Sequence, residues 1–421
     1  MVQVFKSAWA LLLGMGLLMV GNGMQGTLLG IRGDIEAFST FQMSIIISSY
    51  FVGFLGGSLV APKMIRRVGH LRVFSALASL ISAVMVFYPT FVDPIAWMFA
   101  RVLIGFCFSG VYVTAESWLN NAATNETRGQ ALSLYMIVQT TGIVVAQALL
   151  LTADPSGYVL FVIPCILVSI SITPILLSIS PTPAFEATQP MQLKVLFRSS
   201  PLGCVGMFFL GGIFATQFGM SSVYGAEVNL TIPQISLFVS AFFVGAIISQ
   251  VPIGWLSDRM DRRKLIVIIS MVGTIGAIIG AMIGTSFSML ILAALLLGGA
   301  TTPLYSLLIA HTNDFLFVDD MLAAAAGLIF LNGLGAISGP LLAGWAMELL
   351  GPSGFFIFSG VLVLSITVYG AYRSTQREAT PTEDTGAYVA MAPVVSPVAM
   401  ELAQEIASDE ARDGSDDQEI R

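Results

Sequence analysis

Between Asp93 and Glu116 the only charged residue is Arg101, set in an otherwise apolar run. A guanidinium in hydrocarbon costs at least about 2.5–3.5 kcal/mol, so such a residue faces a cavity or a partner. Arg101 could contact an anionic group of a solute, or it could donate to neighbouring helix carbonyls. A second set of polar side chains sits near the centres of other apolar runs: Asn22, Gln25, Tyr112, Gln139, Gln217, Tyr305 and Asn332. An amide or phenol there is costly unless hydrogen-bonded. These residues are either glue between helices, worth under about 2 kcal/mol each, or the lining of a solute cavity. No Asp or Glu falls at the centre of a run. The candidate proton carriers are therefore Glu116 near one end, and Asp34 or Glu227 near the other. His311, beside Asn313 and Asp314, is of a type that titrates near neutrality, but a histidine at a helix end also serves as a cap or packing residue.

The remaining chemistry is sparse. Cys107, Cys165 and Cys204 lie inside apolar runs and form no CxxC pair, so neither a disulfide framework nor a metal site is expected. There is no nucleophile–base pair and no GxxxxGK[ST] loop. An enzyme is not expected, nor a cofactor, nor direct use of ATP.

The composition explains what must position these groups. Of 421 residues, 56 % are hydrophobic and 10 % charged, and mean hydropathy is +0.86. Soluble domains carry about 25 % charged residues. A soluble enzyme, a nucleic-acid binder and a disordered chain are excluded. Twelve apolar stretches are long enough to cross a bilayer, at roughly 7–30, 42–62, 73–90, 95–118, 129–152, 158–179, 200–224, 234–256, 265–285, 288–311, 322–347 and 354–373. Lipid offers no partner to free backbone groups, so each is expected to be a helix. The first is too long for a signal peptide and lacks an Ala-x-Ala-like exit. The fold class is an all-α membrane protein.

Charge sets the orientation. With the N-terminus inside, sixteen of the eighteen Lys/Arg fall inside, Arg32 alone falls outside, and Arg101 lies within a span. By the positive-inside rule both termini are cytoplasmic. Residues 374–421 hold eleven acids and three arginines, while the rest of the chain carries fifteen basic and fourteen acidic residues. The net charge of −7 therefore belongs to a tail expected to be disordered, although 400–411 could form a short helix.

The chain also repeats. At an offset of 192, QMSIIISSYFVG (42–53) aligns with QISLFVSAFFVG (234–245), six of twelve positions being identical. The same offset pairs Met15 with Met207, Gln25 with Gln217 and Arg67 with Arg259. An offset of 193 pairs Gly105 with Gly298, Tyr112 with Tyr305, Asn120 with Asn313, Glu126 with Asp319 and Gly142 with Gly335. Gln139 and Asn332 are likewise related. Two six-span halves, 1–179 and 200–373, joined by a proline-containing linker at 180–199, form parallel repeats about an axis along the membrane normal. Such a pair suits alternating access around a midplane site, and the matched polar residues are expected to converge on the axis.

With these motifs in hand, the stretch from about residue 6 to 373 resembles the major facilitator superfamily. Gly254-Trp255-Leu256-Ser257-Asp258-Arg259-Met260-Asp261-Arg262-Arg263 looks like that family's G-x-x-x-D-R-x-G-R-R loop, with Asp261 in place of the second glycine. The equivalent after span two is degenerate: Arg67-Val68-Gly69 fits, but Arg66 stands where the acid belongs and Pro62 replaces the first glycine. Arg101-Val102-Leu103-Ile104-Gly105 matches the family's R-x-x-x-G element. The antiporter-type G-x-x-x-G-P pattern is missing from span five and appears in span eleven as Gly335…Gly339-Pro340. Residues 44–69, together with Ala115-Glu116-Ser117-Trp118, Arg128-Gly129 and Tyr135-Met136, are similar to the YcaD-type branch, whose substrates are mostly unassigned.

The resemblance implies a fold of twelve helices in two parallel six-helix halves and a substrate cavity on the pseudo-axis. It adds a third role for Arg101, tuning a proton-coupling network. It also implies a gate, in which Asp258 with Arg259 faces Arg128, and Arg66 or Arg67 faces Asp319 or Asp320; these basic loops otherwise only set topology. The expected function is secondary active transport of a small organic solute across the bacterial inner membrane, proton-coupled and in the uptake direction, with an anionic or zwitterionic metabolite as substrate. The expected partners are that solute, the lipid bilayer and protons, with no nucleic acid, and the expected state is a monomer. The alternatives are efflux of amphipathic compounds, to which 28 Phe and 20 Met are suited, and a non-transporting assembly factor or sensor.

Overall fold

A computed structural model of the chain describes residues 2–122, 127–177, 191–283, 286–376, 388–391, 398–399 and 403, without the side chains of 2–7, 121, 122, 128, 283, 318 and 319. Long helices run antiparallel to their neighbours: α1 Val2–Ile35, α2 Thr40–Val68, α3 His70–Thr90, α4 Pro94–Ala122, α5 Arg128–Leu149 with a terminal 3₁₀ turn Leu150–Thr152, and α6 Val159–Leu177. A short α7, Leu193–Ser199, precedes the second set. That set comprises α8 Pro201–Ala215, a π turn Thr216–Met220 and α9 Ser221–Glu227, which together make one span. It continues with α10 Ile232–Ser257, α11 Arg262–Ile283, α12 Phe287–Asn313, α13 Val318–Leu350 and α14 Gly354–Ser374. Twelve of these rods are long and apolar enough to span a membrane. Their outward faces carry bare apolar side chains such as Phe99, Val251 and Met282, a surface that water would not tolerate at this extent.

The helices run past the apolar stretches that reveal them, because backbone groups at a membrane boundary still need partners. Arg66 and Arg67 lie in the last turn of α2, and the loop to α3 shrinks to Gly69, whose φ of +86° closes one helix and opens the next. Arg262, Arg263 and Lys264 likewise sit in the first turn of α11.

Repeat-related residues do the same structural work. At the start of α2, the Ser39 and Gln42 side chains cap each other's backbone N–H (2.8 and 3.1 Å). At the start of α10, 192 residues later, the backbone N–H of Thr231 donates to Gln234 Oε1 at 2.9 Å. Within the first half α2 packs on α4 and α1 on α5; within the second α10 packs on α12 and α8 on α13. The α2–α4, α10–α12 and α8–α13 pairings are contacts of bare backbones. A Cβ on Gly105 would stand 1.9 Å from the Tyr50 carbonyl oxygen, and one on Gly298 would stand 2.1 Å from that of Phe242. On Gly335 it would stand 1.8 Å from that of Phe208.

Between the halves the contacts are made by side chains. Gly26 lies under the Phe218 ring, Gly219 under Ile47, Gly30 beside Ser222 and Gly344 beside Ser44. These lie at mid-depth and towards the face remote from the termini, called here the distal face. The Thr40 hydroxyl donates to Glu227 there. On the terminal face, α7 docks on the second half, with the Met191 N–H bonded to the Ala323 carbonyl at 2.8 Å and Leu196 against Gly327.

One expectation is corrected. The tail is not wholly solvated: Met391, Val398, Ala399 and Ala403 belong to the same apolar core as the transmembrane helices. Ala399 and Ala403, one helical turn apart, are both helical. An uncharged stretch inside an acidic tail can bury surface that the tail's average composition conceals. Residues 377–387, 392–397, 400–402 and 404–421 of the tail, and 180–190 of the linker, lie outside the described residues.

Candidate solute and coupling site

Helix α4 carries Arg101, Gly105, Phe108, Tyr112 and Glu116 at spacings of four, three, four and four, which places them on one stripe. Gly105 lets α2 close against that stripe and bring Tyr50 over Arg101. The guanidinium carbon stands 5.0 Å from the centre of the Tyr50 ring, within cation–π range. Arg101 is 1 % exposed, and none of its three side-chain nitrogens has a hydrogen-bond partner. The Tyr88 phenol also faces the guanidinium, as an electrostatic and weak hydrogen-bonding neighbour that falls short of full hydrogen-bond geometry.

The amides of α1 complete this group. Gln25 Nε2 donates to the Tyr88 hydroxyl at 3.2 Å, and Asn22 Nδ2 donates to the Tyr112 hydroxyl at 3.1 Å. Tyr112 in turn donates to Met19 Sδ at 3.3 Å. Trp97 packs edge-on against Tyr88 at 5.6 Å and donates its indole N–H to the Tyr88 and Phe91 carbonyls, fixing the end of α3. Asn22 Oδ1, Gln25 Oε1 and the Tyr50 hydroxyl remain without a hydrogen-bond partner. Buried polar groups in folded proteins are nearly always paired, so each exception calls for a physical explanation. The cluster therefore presents donors from one charged group and acceptors from two amides. Tyr50 also approaches Phe218 of the other half at 6.5 Å.

Along the stripe, about 22 Å from Arg101 at helical rise, Glu116 is 1 % exposed. Tyr135 of α5 donates to it at 3.0 Å, and Tyr305 of α12, from the opposite half, is an electrostatic neighbour. A buried base and a buried acid thus stand at two ends of one polar column.

The other expected residues divide. Gln217, on the π turn, accepts from Thr301 at 3.2 Å, and its Nε2 has no partner. Gln139 lines a cavity of about 140 Å³ between the halves, with Met136, Thr140, Gln250 and Thr302. Asn332 donates to the Met207 carbonyl at 3.2 Å, tying α13 to α8. It acts as glue, and Asn332→Leu is expected to cost under about 2 kcal/mol of stability with solute affinity unchanged; thermal unfolding with and without solute measures both. Asp34 is exposed on the distal face and Glu227 is part-buried there, so neither joins the column. His311 packs edge-on against Phe315 at 5.0 Å.

At the gate, Arg66, Arg67, Asp258 and Asp320 are exposed and form no ion pair with one another among the described residues. Arg259 stacks on Trp255 at 4.3 Å. The side chains of Arg128 and Asp319 lie outside the described residues. The terminal-face ion pairs that do form are Arg262–Asp314 at 2.5 Å and Arg263–Asp261 at 3.2 Å, both inside the second half. Burial alone would raise the Asp261 carboxyl, but the Arg263 hydrogen bonds and charge outweigh it and hold the group below the usual carboxylate range. In the first half, His70 meets Ser117 at 2.9 Å, where the repeat puts Arg262 in the second. Tyr50, Tyr88, Tyr135 and Thr301 were not among the site residues expected from the sequence. The three tyrosines have no aromatic hydroxyl at the repeat-related position, so a search for matched pairs passes over them.

Two halves of six spans, sharing one set of helix pairings around a buried polar column, define a membrane transporter. The model of the Major Facilitator Superfamily matches residues 11–228 and again 202–402, and the chain belongs to that family. An uncharacterized MFS-type transporter from Yersinia pestis (strain Pestoides F) is 26 % identical over 351 residues, covering 82 % of this chain and 90 % of its own. An uncharacterized MFS-type transporter YcaD from Salmonella arizonae is 25 % identical over 342 residues, covering 80 % and 88 %. A crystallised point mutant of the nucleoside transporter NupG shares the fold, with a TM-score of 0.76 at 12 % identity over 87 % of this chain and 100 % of that one. The protein is a multi-pass bacterial membrane protein of the YcaD-type branch and a secondary transporter.

Proposed function

We propose that this transporter takes up a small anionic or zwitterionic organic solute across the inner membrane, coupled to protons, as a monomer with both termini in the cytoplasm. The observation that carries the reading is the fully buried, unpaired guanidinium of Arg101. Removing such a charge from water costs several kcal/mol per ion, and an anionic group on the solute would offset that cost. The orphaned amide oxygens of Asn22 and Gln25 are suited to accept from an ammonium on the same molecule, which favours a zwitterion. The exposed Asp258, Arg66 and Arg67 fit a latch that engages Arg128, Asp319 and Asp320 only when the terminal face closes.

A thermal-unfolding screen of the purified protein tests the substrate class. Carboxylate-bearing, phosphate-bearing and zwitterionic solutes are expected to stabilise it, followed by flux of the best of them into liposomes. Stabilisation by lipophilic cations alone would overturn the reading in favour of efflux of amphipathic compounds, the alternative suggested by the apolar cavity wall of Met136, Ile143, Phe214, Phe243 and Ile247.

Glu116 is the proposed proton carrier, because it is the buried carboxylate that the column brings against residues of both halves. In Glu116→Gln the side chain is permanently neutral, like the protonated acid. Uptake driven by an inward proton gradient is expected to disappear while solute exchange at equal concentrations persists. Gradient-driven uptake at the wild-type rate would remove Glu116 from the coupling path.

A further inference from the structure

The acidic tail contains a stretch that its overall composition hides. Residues 387–400, AYVAMAPVVSPVAM, hold no charge, with Glu383 and Asp384 on one flank and Glu401 and Glu405 on the other. A tail meant only to stay in solution has no physical need for such a stretch. In the structure, part of it is seated between the halves. The Tyr388 ring lies flush on α10, leaving no room for a Cβ on Gly254, which would meet the ring at 2.9 Å. Ser306 of α12 holds Met391 by both main-chain groups: its hydroxyl oxygen accepts from the Met391 N–H at 2.9 Å, and its O–H donates to the Met391 carbonyl at 3.3 Å. Met391 is 3 % exposed. With Ala390 it forms part of the wall of the cavity that Gln139 and Thr302 also line.

That cavity lies between α5 of the first half and α10 and α12 of the second. At the distal face the halves touch each other directly; here the tail is held by the second half and faces α5 of the first across the cavity. The 140 Å³ left beside Met391 is below the roughly 300–1,000 Å³ of small-molecule sites. Closing the terminal face would also bring α5 and α10 into the volume that the tail fills.

We propose that the uncharged tail segment anchored at Tyr388–Met391 is a self-inhibitory plug, which shuts the cavity and blocks the rocking of the halves until it withdraws. The apolar segment fills the cleft, and the acids flanking it keep the tail soluble once it leaves. Release would open the cavity to solute and free the terminal face to close.

The test reads accessibility rather than transport, so it stands or falls independently of the substrate assigned above. Thr302→Cys is placed in the full chain with Cys107, Cys165 and Cys204 changed to serine, and modification by a water-soluble maleimide is timed in detergent. A plug seated most of the time should slow the reaction at least about tenfold relative to a chain ending at Gln376. The same acceleration is expected in the full-length Tyr388→Ala/Met391→Ala variant, which answers the question even if the truncated chain fails to fold. A synthetic peptide of residues 386–404 should slow the opened forms again, while a cysteine at Ser156 on the distal face reacts at one rate throughout. Equal rates at position 302 in the full-length and double-variant proteins would overturn the proposal, as would a peptide without effect on the opened forms.

Discussion

Arg101→Ala should abolish solute binding and leave the protein as stable as before, or more so. The two halves of that result discriminate together. If Arg101 were a structural donor to helix carbonyls, its loss would remove hydrogen bonds and lower the unfolding temperature. The guanidinium instead has no helix carbonyl in hydrogen-bonding geometry, and its neighbours are the Tyr50 ring and the Tyr88 phenol. Deleting it relieves a desolvated charge at the cost of one cation–π contact, worth about 2 kcal/mol when desolvated. Against an anionic solute the same deletion removes charge-assisted hydrogen bonds of about 1.5–3 kcal/mol each. Two of these correspond to roughly a hundredfold to ten-thousandfold in affinity. Arg101→Lys keeps the charge but not the planar fork, so partial recovery is expected. Solute-dependent thermal stabilisation reads both effects in one experiment. A destabilised Arg101→Ala that still responds to solute would transfer the residue to a structural role.

Gly105→Ala should be among the most damaging single methyl groups in the first half, level with Gly53→Ala, whose Cβ would meet the Val102 carbonyl oxygen at the same 1.9 Å. A Cβ on Gly105 would lie 1.9 Å from the Tyr50 carbonyl oxygen, and that oxygen belongs to a helix backbone that cannot rotate away. Helix α2 must separate from α4, at a cost of at least about 1–3 kcal/mol for overpacking, and Tyr50 moves off Arg101 as it does so. Reduced thermal stability is therefore expected together with weakened solute binding. Gly298→Ala, facing the Phe242 carbonyl at 2.1 Å, should destabilise comparably while sparing the Arg101 cluster. Gly56→Ala is the control: nothing lies within 4 Å of its Cβ, and alanine's helix propensity should make it neutral or stabilising by up to about 1 kcal/mol. Size-exclusion profiles after graded heating distinguish the three; equal profiles for Gly56→Ala and Gly105→Ala would refute the packing argument.

The spans, the repeat and the family were legible because each rests on a property that holds along a whole helix. Hydrophobic runs betray membrane rods, and a register of 192, drifting to 193, binds Ser39–Gln42 to Thr231–Gln234 and Gly105 to Gly298. The site was legible only in part, since it breaks that symmetry. Arg101 stood out as a lone charge, and Asn22, Gln25 and Tyr112 join it. Tyr50 and Tyr88 also join it, yet the repeat puts Phe242 opposite Tyr50 and no phenol opposite Tyr88. Matched pairs proved a mixed guide: Gln139 lines the cavity, while its partner Asn332 ties α13 to α8. Tail burial was hidden by averaging, because the acids around residues 387–400 mask their apolar character.

The glycine seams also decide where this molecule can yield. Within each half, the α2–α4, α10–α12 and α8–α13 seams meet main chain to main chain, an arrangement that leaves little slack. Across the middle, Phe218, Ile47 and Ser222 meet glycines through side chains that can change rotamer and slide. Under the proposed uptake cycle, each bundle of six moves as a stiff lever, and the give lies where the two bundles meet.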